Sequence, residues 1–249
     1  MSSIVILAHA TDSGAESVAA ALMQQLGPQA VRIVRPETLS LASWSHRVDS
    51  TGHATTRVTP PGTEPIEDSR VAAVLNRIRY LPVPRFHRAP PKDRDYAGVE
   101  VQALVASWLA GLGDRVVHVV REHPWLTPLL PLQHWAAPAA DYGLPVAVRT
   151  VSTLRSSRRS DPSTVAVAGD AATVLVAGNR AGGPLSDTFG PRCVRVARLL
   201  GFPLLEFGFV KEHGTTVLAR IDPLPSLMEP WAMAMTVDLL ASRAGYGSG

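Results

Sequence analysis

Cysteine is almost absent from this chain. Cys193 is the only one in 249 residues, so neither an intramolecular disulfide framework nor a cysteine-rich zinc site can form. Lysine is nearly as scarce: of 24 basic residues all but Lys92 and Lys211 are arginine, and 21 acids bring the formal net charge to +3. A sequence pI near 9.4 then gives little ground for a nucleic-acid partner, because the excess charge is small and arginine content also follows base composition. Aromatic residues make up 6%. Tyr96, Trp108, Trp125, Trp135 and Trp231 are scattered over several elements, which suits core packing better than a stacking platform for bases. Long apolar runs are also missing: none approaches about 18 residues, and the opening Ser2–Leu7 lacks a basic segment ahead of a long apolar one. A membrane span and a secretion signal are therefore not expected, and a cytoplasmic location is.

Several catalytic signatures are absent too. The histidines at 9, 46, 53, 87, 118, 123, 134 and 213 show no His-x-x-x-His spacing, which leaves zinc catalysis without support. No Gly-x-Ser-x-Gly elbow occurs. The turn from His9 to Gly14 has one glycine where a dinucleotide fingerprint needs three.

What is present is an ordinary globular composition, 46% hydrophobic and 18% charged. Ile4–Ala8 is a β-branched run, Ala15–Leu26 has helical apolar spacing ending at Gly27, and Val31–Val34 reads as a second strand. Strand, helix and strand in this order make a βαβ unit with a right-handed crossover. Residues 45–67, broken by Gly52, Pro60, Pro61, Gly62 and Pro65, read as an irregular exposed excursion with a short hairpin near 53–58. Val71–Ile78 is apolar again, and the prolines at 82, 84, 90 and 91 make 80–92 a stiff loop. A long helix follows over 93–112, with Tyr96, Val99, Ala103, Ala106 and Ala110 as its expected apolar face; Val116–Val120 is a strand and 132–142 a helix despite Pro138. Residues 150–163 are rich in Ser and Arg and read as a linker. Beyond it, 164–168 and 172–177 suggest one hairpin, and 204–210 with 215–221 a second across Lys211–Gly214. Helices over 191–200 and 229–244 complete the chain. The fold class is thus an α/β, Rossmann-like domain over 1–149 followed by an α+β domain with an antiparallel sheet over 164–245.

The segments Val196–Phe202, Glu206–Val210 and Val217–Pro225 resemble the closing pattern of ATP-grasp ligases: a helix ending in Leu-Gly, a strand, a glycine turn, and a strand ending in a metal-ligand motif before Pro-x-Pro. The first half is similar to the pre-ATP-grasp domain of the subgroup containing ribosomal-protein glutamate ligases and graspetide ligases, with Val74–Arg77 as its strand and Asp95–Glu100 in its helix. The resemblance implies a carboxylate–amine ligase scaffold using ATP and Mg2+. It also exposes departures. The family places a subdomain of about 70 residues, carrying the lysines that hold phosphates, where only Thr150–Ser163 stands here, and no lysine lies between Val148 and Val165. The motif's acidic and amide ligands fall on Arg220 and Asp222, and magnesium tolerates no cation among its first ligands.

The resemblance assigns Asp222 as the surviving metal or substrate contact, with a turn cap as its plain alternative. It places Arg180 and Asp187 on the loop where such ligases bring an arginine to the acyl phosphate. Asn76, Arg77, Arg79 and Arg94, within the basic stretch that runs through Arg85, His87, Arg88 and Lys92, form with Arg220 the expected binding residues for an anionic peptide or small molecule. Glu100 is expected to be an internal partner for Arg77. The leading reading is a truncated, degenerate ATP-grasp protein that needs no cofactor and binds a peptide, a small molecule or a partner protein. The competing one is an active ATP- and Mg2+-dependent ligase with an unusual or shared nucleotide site. Loss of a subdomain predicts an uncovered apolar sheet, and hence a homodimer or hetero-complex through it unless the first domain folds back over it.

Overall fold

A computed structural model describes residues 3–117, 132–146 and 172–246. The chain opens with β1 (Ser3–Leu7), α1 (Ser13–Leu26) and β2 (Val31–Val34), the expected βαβ unit. Asp12 caps α1, its carboxylate accepting from Ala15 N at 3.0 Å. After α2 (Pro36–Leu41), the stretch expected to be irregular is a three-stranded antiparallel sheet of β3 (Ser43–Val48), β4 (Ala54–Thr59) and β5 (Ile66–Glu67). Its period-2 pattern is hard to see because polar residues occupy inward positions. Thr56 is buried beside Val58, and His46 spans from Thr56 Oγ1 to Ser107 Oγ at 2.8 Å each. Next come β6 (Val71–Asn76), α3 (Pro91–Leu112) and β7 (Val116–Val117). The four parallel strands stand in the order β2-β1-β6-β7.

The remaining elements are α4 (Leu132–Asp141), β8 (Ala172–Ala177), β9 (Arg180–Gly182), α5 (Ser186–Leu200), β10 (Leu204–Glu212), β11 (Thr215–Asp222) and α6 (Pro230–Arg243). The second sheet is antiparallel, ordered β11-β10-β8-β9. His213 and Gly214, with φ of 49° and 81°, form the two-residue turn between β10 and β11, the turn type that matches strand twist. α5 begins at Ser186 rather than at Pro191, so the proline sits just past the first turn, where its missing N–H costs one helical hydrogen bond. The expected strand at 164–168, the linker at 150–163 and the continuation of β7 through Val120 lie outside the described residues.

Both faces of the antiparallel sheet are covered. Val174, Val176, Phe207 and Phe209 pack under α4 and α5, while Leu175, Ala177 and Leu204 join α6, α1 and the parallel sheet in one continuous core. The fold-back arrangement is therefore the observed one, and the reasoning that required a homodimer or hetero-complex through this sheet loses its premise. A third cluster, around the fully buried Trp108, fills the space between the parallel sheet, α3 and the three-stranded sheet. The face of α3 turned to that core carries Ala97, Val105, Trp108, Leu109 and Leu112. Tyr96 and Val99, expected to be buried, are 67% and 59% exposed.

Candidate functional site

β1 and β6 are neighbours whose crossovers leave to opposite sides, α1 toward β2 and α3 toward β7. Such a switch point leaves a crevice beyond the C-terminal ends of the strands, the usual ligand position in an open α/β sheet. Asn76 and Arg77 stand there. Arg77 N donates to Leu7 O at 2.8 Å, continuing the ladder one residue past β6. Its guanidinium is 7% exposed, with Nε donating to Asp12 Oδ2 at 2.6 Å and Nη1 to Pro225 O at 3.0 Å. Asp12, the cap of α1, is thus the partner of Arg77. Glu100 is not: it lies exposed on α3. Asn76 Oδ1 accepts from Ile78 N at 3.2 Å and turns the chain out of the strand. At the rim, His9 Nε2 accepts from Arg79 N at 3.3 Å and its ring lies 4.5 Å from that of Tyr80. The side chains of Arg79 and Arg94 are exposed.

The chain's own link from β11 to α6 crosses this crevice. Besides the Pro225 carbonyl on Arg77, Leu227 presses on Gly14, where a Cβ would meet Leu227 Cβ at 2.9 Å, and Ser13 Oγ donates to Met228 Sδ at 3.1 Å. The same link reaches a second charged group, because Ser226 N donates to Glu206 Oε2 at 3.3 Å. Glu206 is 5% exposed on the inner face of β10. Arg220, on β11, donates from Nη2 to Glu206 Oε1 at 2.5 Å and faces Asp222 Oδ2 at 3.5 Å. Asp222 Oδ1 accepts from Leu224 N at 2.8 Å, the turn-cap geometry. Directly across from Arg220 stands Gly208, and the arginine stem fills the space its side chain would take: an added Cβ would lie 2.6 Å from Arg220 Cγ.

A divalent cation does not fit this group. Magnesium takes hard oxygen ligands in octahedral geometry, whereas Glu206 and Asp222 both face a guanidinium and Gly208 offers no ligand. Among the described residues no cluster of three or more His, Cys, Asp or Glu side chains could hold a metal ion.

Arg180 and Asp187 are not part of either group. Arg180 opens β9, paired across from Ala177, while Gly208 pairs with Thr173 at the other end of β8, roughly 13 Å away at about 3.3 Å per residue. Its Nη1 holds Asp238 of α6 at 2.8 Å, in an exposed pair. Asp187 is exposed in the first turn of α5. The structure therefore brings together Arg220 and Asp222, and connects them through residues 225–226 to Arg77. Asp12, Glu206, Gly208 and the Pro225 carbonyl were not foreseen. Glu206 had a signal, a charge in an otherwise apolar strand; Asp12 had one as a helix cap; the others depend on tertiary pairing. Elsewhere, burial pushes the Cys193 thiol up to about 12, which leaves it an inert core residue at neutral pH.

No protein-family model matches the sequence, and no curated protein matches it. Solved structures do match it in fold. One is an RiPP-associated ATP-grasp ligase from Chryseobacterium gregarium, in complex with ADP and a leader and core peptide: TM-score 0.69, 10% identity, covering 98% of this chain and 97% of that one. Another is the macrocyclase MdnB from Microcystis aeruginosa, with TM-score 0.69, 13% identity and coverage of 96% and 99%. A third, the ATP-grasp ligase PsnB complexed with minimal precursor, Mg and ADP, gives TM-score 0.65 at 14% identity, covering 97% and 98%. The fold is accordingly that of these ATP-grasp ligase structures. No helix among the described residues is long and apolar enough to cross a membrane.

Proposed function

We propose that this chain is an ATP-grasp-fold protein that does not complete ATP-dependent ligation and instead binds a peptide or a protein partner. The observation that carries the proposal is Arg220: a fixed cation lies between Glu206 and Asp222, opposite a glycine, where the ATP-grasp resemblance expects metal ligands. The scarcity of lysine supports the same reading. The whole chain has two lysines, Lys92 in the first turn of α3 and Lys211 beside the β10–β11 turn, and both are exposed. A peptide is the favoured ligand class because two of the structures similar in fold are peptide complexes, the Chryseobacterium gregarium ligase with a leader and core peptide and PsnB with minimal precursor.

Calorimetry with a non-hydrolysable ATP analogue and Mg2+, run beside an assay for ADP release, tests the proposal. No nucleotide heat and no ADP are expected. Micromolar nucleotide binding with turnover would overturn it in favour of an active carboxylate–amine ligase, with Asp222→Asn and Arg180→Ala then abolishing product formation.

A further inference from the structure

Pro225 and Ser226 are neighbours in the chain, so the carbonyl that Arg77 holds and the N–H that Glu206 holds belong to one peptide group. The described residues contain no cis peptide bond, and across a trans peptide the C=O and N–H point in opposite directions. Arg77 therefore stands on one side of the link and Glu206 on the other, with Nη1 3.0 Å from the oxygen and Oε2 3.3 Å from the nitrogen. A peptide unit carries a dipole of about 3.5 D whose negative end lies at the oxygen. Here that end faces a guanidinium and the positive end a carboxylate, so both charges favour the same orientation of the peptide plane. Each charge also has an outer partner, Asp12 for Arg77, and Arg220 with Asp222 behind it for Glu206. Charge thus alternates along one row, from Asp12 through Arg77, the peptide group, Glu206 and Arg220 to Asp222.

Arg77, Glu206 and Pro225 are all buried, while Ser226 is exposed. Where water is largely excluded, each hydrogen bond in a row polarises the next. We propose that the Pro225–Ser226 peptide group is a conformational coupler: the charge on Glu206 strengthens the hold of Arg77 on the link, the charge on Arg77 strengthens the hold of Glu206, and the crevice of the parallel sheet is seated together with the charged group of the antiparallel sheet. The link so fixed is the one that lays Leu227 on Gly14 and Met228 against Ser13. Access to the row is from one end. The side chains of Arg220 and Asp222 are 47% and 43% exposed, against 20% for Asp12, so a ligand or partner that engages the row meets it there. Coupling of this kind is reciprocal, and whatever shifts Glu206 is felt where the link crosses α1. The alternative is two independent contacts that happen to fall on adjacent residues.

Urea denaturation of the full chain measures the coupling in a cycle of Arg77→Gln, Glu206→Gln and the double variant. Glutamine keeps an amide that can donate to the Pro225 carbonyl or accept from Ser226 N, so charge is what changes. Groups that share no partner at this separation combine within about twofold in the unfolding constant. A shared peptide group predicts more: Arg77→Gln should raise the unfolding constant about tenfold further in the wild-type background than in Glu206→Gln. Asp238→Asn, in the exposed pair with Arg180, is the control and should combine with Arg77→Gln within about twofold. The amide proton of Ser226 supplies a second readout, taken by NMR on the folded chain. Arg77 touches only the carbonyl of that peptide group, yet Arg77→Gln should move the Ser226 resonance upfield as its bond to Glu206 weakens. Arg77→Lys, which keeps a cation at the carbonyl, should leave the resonance nearer its wild-type position. Additivity of Arg77→Gln and Glu206→Gln within about twofold, or a Ser226 resonance that Arg77→Gln does not move, would overturn the proposal. Neither readout involves nucleotide, so ATP turnover in the earlier assay would sink the non-ligating reading and leave the coupling standing.

Discussion

Truncating Arg77 to alanine removes a side chain that ties the end of the parallel sheet to both α1 and the link ahead of α6. Two contacts vanish: Nε to Asp12 at 2.6 Å and Nη1 to the Pro225 carbonyl at 3.0 Å. Breaking a buried pair by removing one partner costs about 3–5 kcal/mol. Asp12 is 20% exposed and still accepts from Ala15 N, which lowers its share, whereas the buried Pro225 carbonyl loses its guanidinium donor. The expected loss is about 3 kcal/mol, or about 6–12 °C in melting temperature for a chain of this size. Urea denaturation of Arg77→Ala, Asp12→Asn and the double variant measures it. Asparagine keeps the helix cap while removing the charge, so the coupling energy isolates the ion pair, and about 1–3 kcal/mol is expected. Glu100→Gln, at an exposed position, should change stability by less than about 0.5 kcal/mol. A coupling near zero, or a larger loss for Glu100→Gln than for Asp12→Asn, would refute the assignment of Asp12 as the partner.

Other substitutions probe separate parts of the fold. Arg220→Ala leaves the buried Glu206 carboxylate with the Ser226 N–H as donor in place of a guanidinium and should cost about 2 kcal/mol, of which Glu206→Gln in the same background returns a part; no recovery would count against the pairing. Gly183→Ala, at φ 110° with Thr173 O 2.6 Å from the added Cβ, should cost about 2–3 kcal/mol, clearly more than Gly27→Ala, which has φ 92° but open space around it; equal losses in thermal melts would show that contact adds nothing to backbone strain. Cys193 supplies a pH test. Its folded value of about 12 lies above the ordinary 9.0, so the stability that comes from keeping the thiol neutral is complete below pH 9 and is lost as pH rises toward 12. The advantage of wild type over Cys193→Ala should therefore shrink by about 1.4 kcal/mol per pH unit above 9, and a constant difference to about pH 11 would refute the assignment.

The elements most legible in the sequence were those with strong local signals. Ile4–Ala8 before a glycine turn, the helix ending at Gly27, the hairpin across Lys211–Gly214 and the closing helix all depend on period and punctuation, and each stands within two residues of where those signals put it, β10 running on through Lys211 and Glu212. The three-stranded sheet was less visible because Thr56 and His46 satisfy their polar groups on each other and on Ser107, so inward positions did not look apolar. α3 misled for the opposite reason: two apolar faces compete in one helix, and only the placement of Ala54 and Asp68 decides which is buried. At the site, alternation along β11 was enough to set Arg220 and Asp222 on one face. The partners of Arg77 were not legible, since Asp12 and Pro225 lie 65 and 148 residues away in sequence.

α6 stands last among the described elements, yet it packs against α1 and β6 as well as β8 and β9. Leu240, Ala241 and Val237 share one core with Ile4, Ile6 and Val18. During synthesis the parallel sheet thus emerges long before the helix that seals one of its faces, so a nascent chain halted before Pro230 shows an unfinished apolar surface to the ribosome exit and to chaperones. Native protection of β1 against hydrogen exchange then depends on residues more than 220 positions downstream, and loosening α6 loosens the first strand of the parallel sheet.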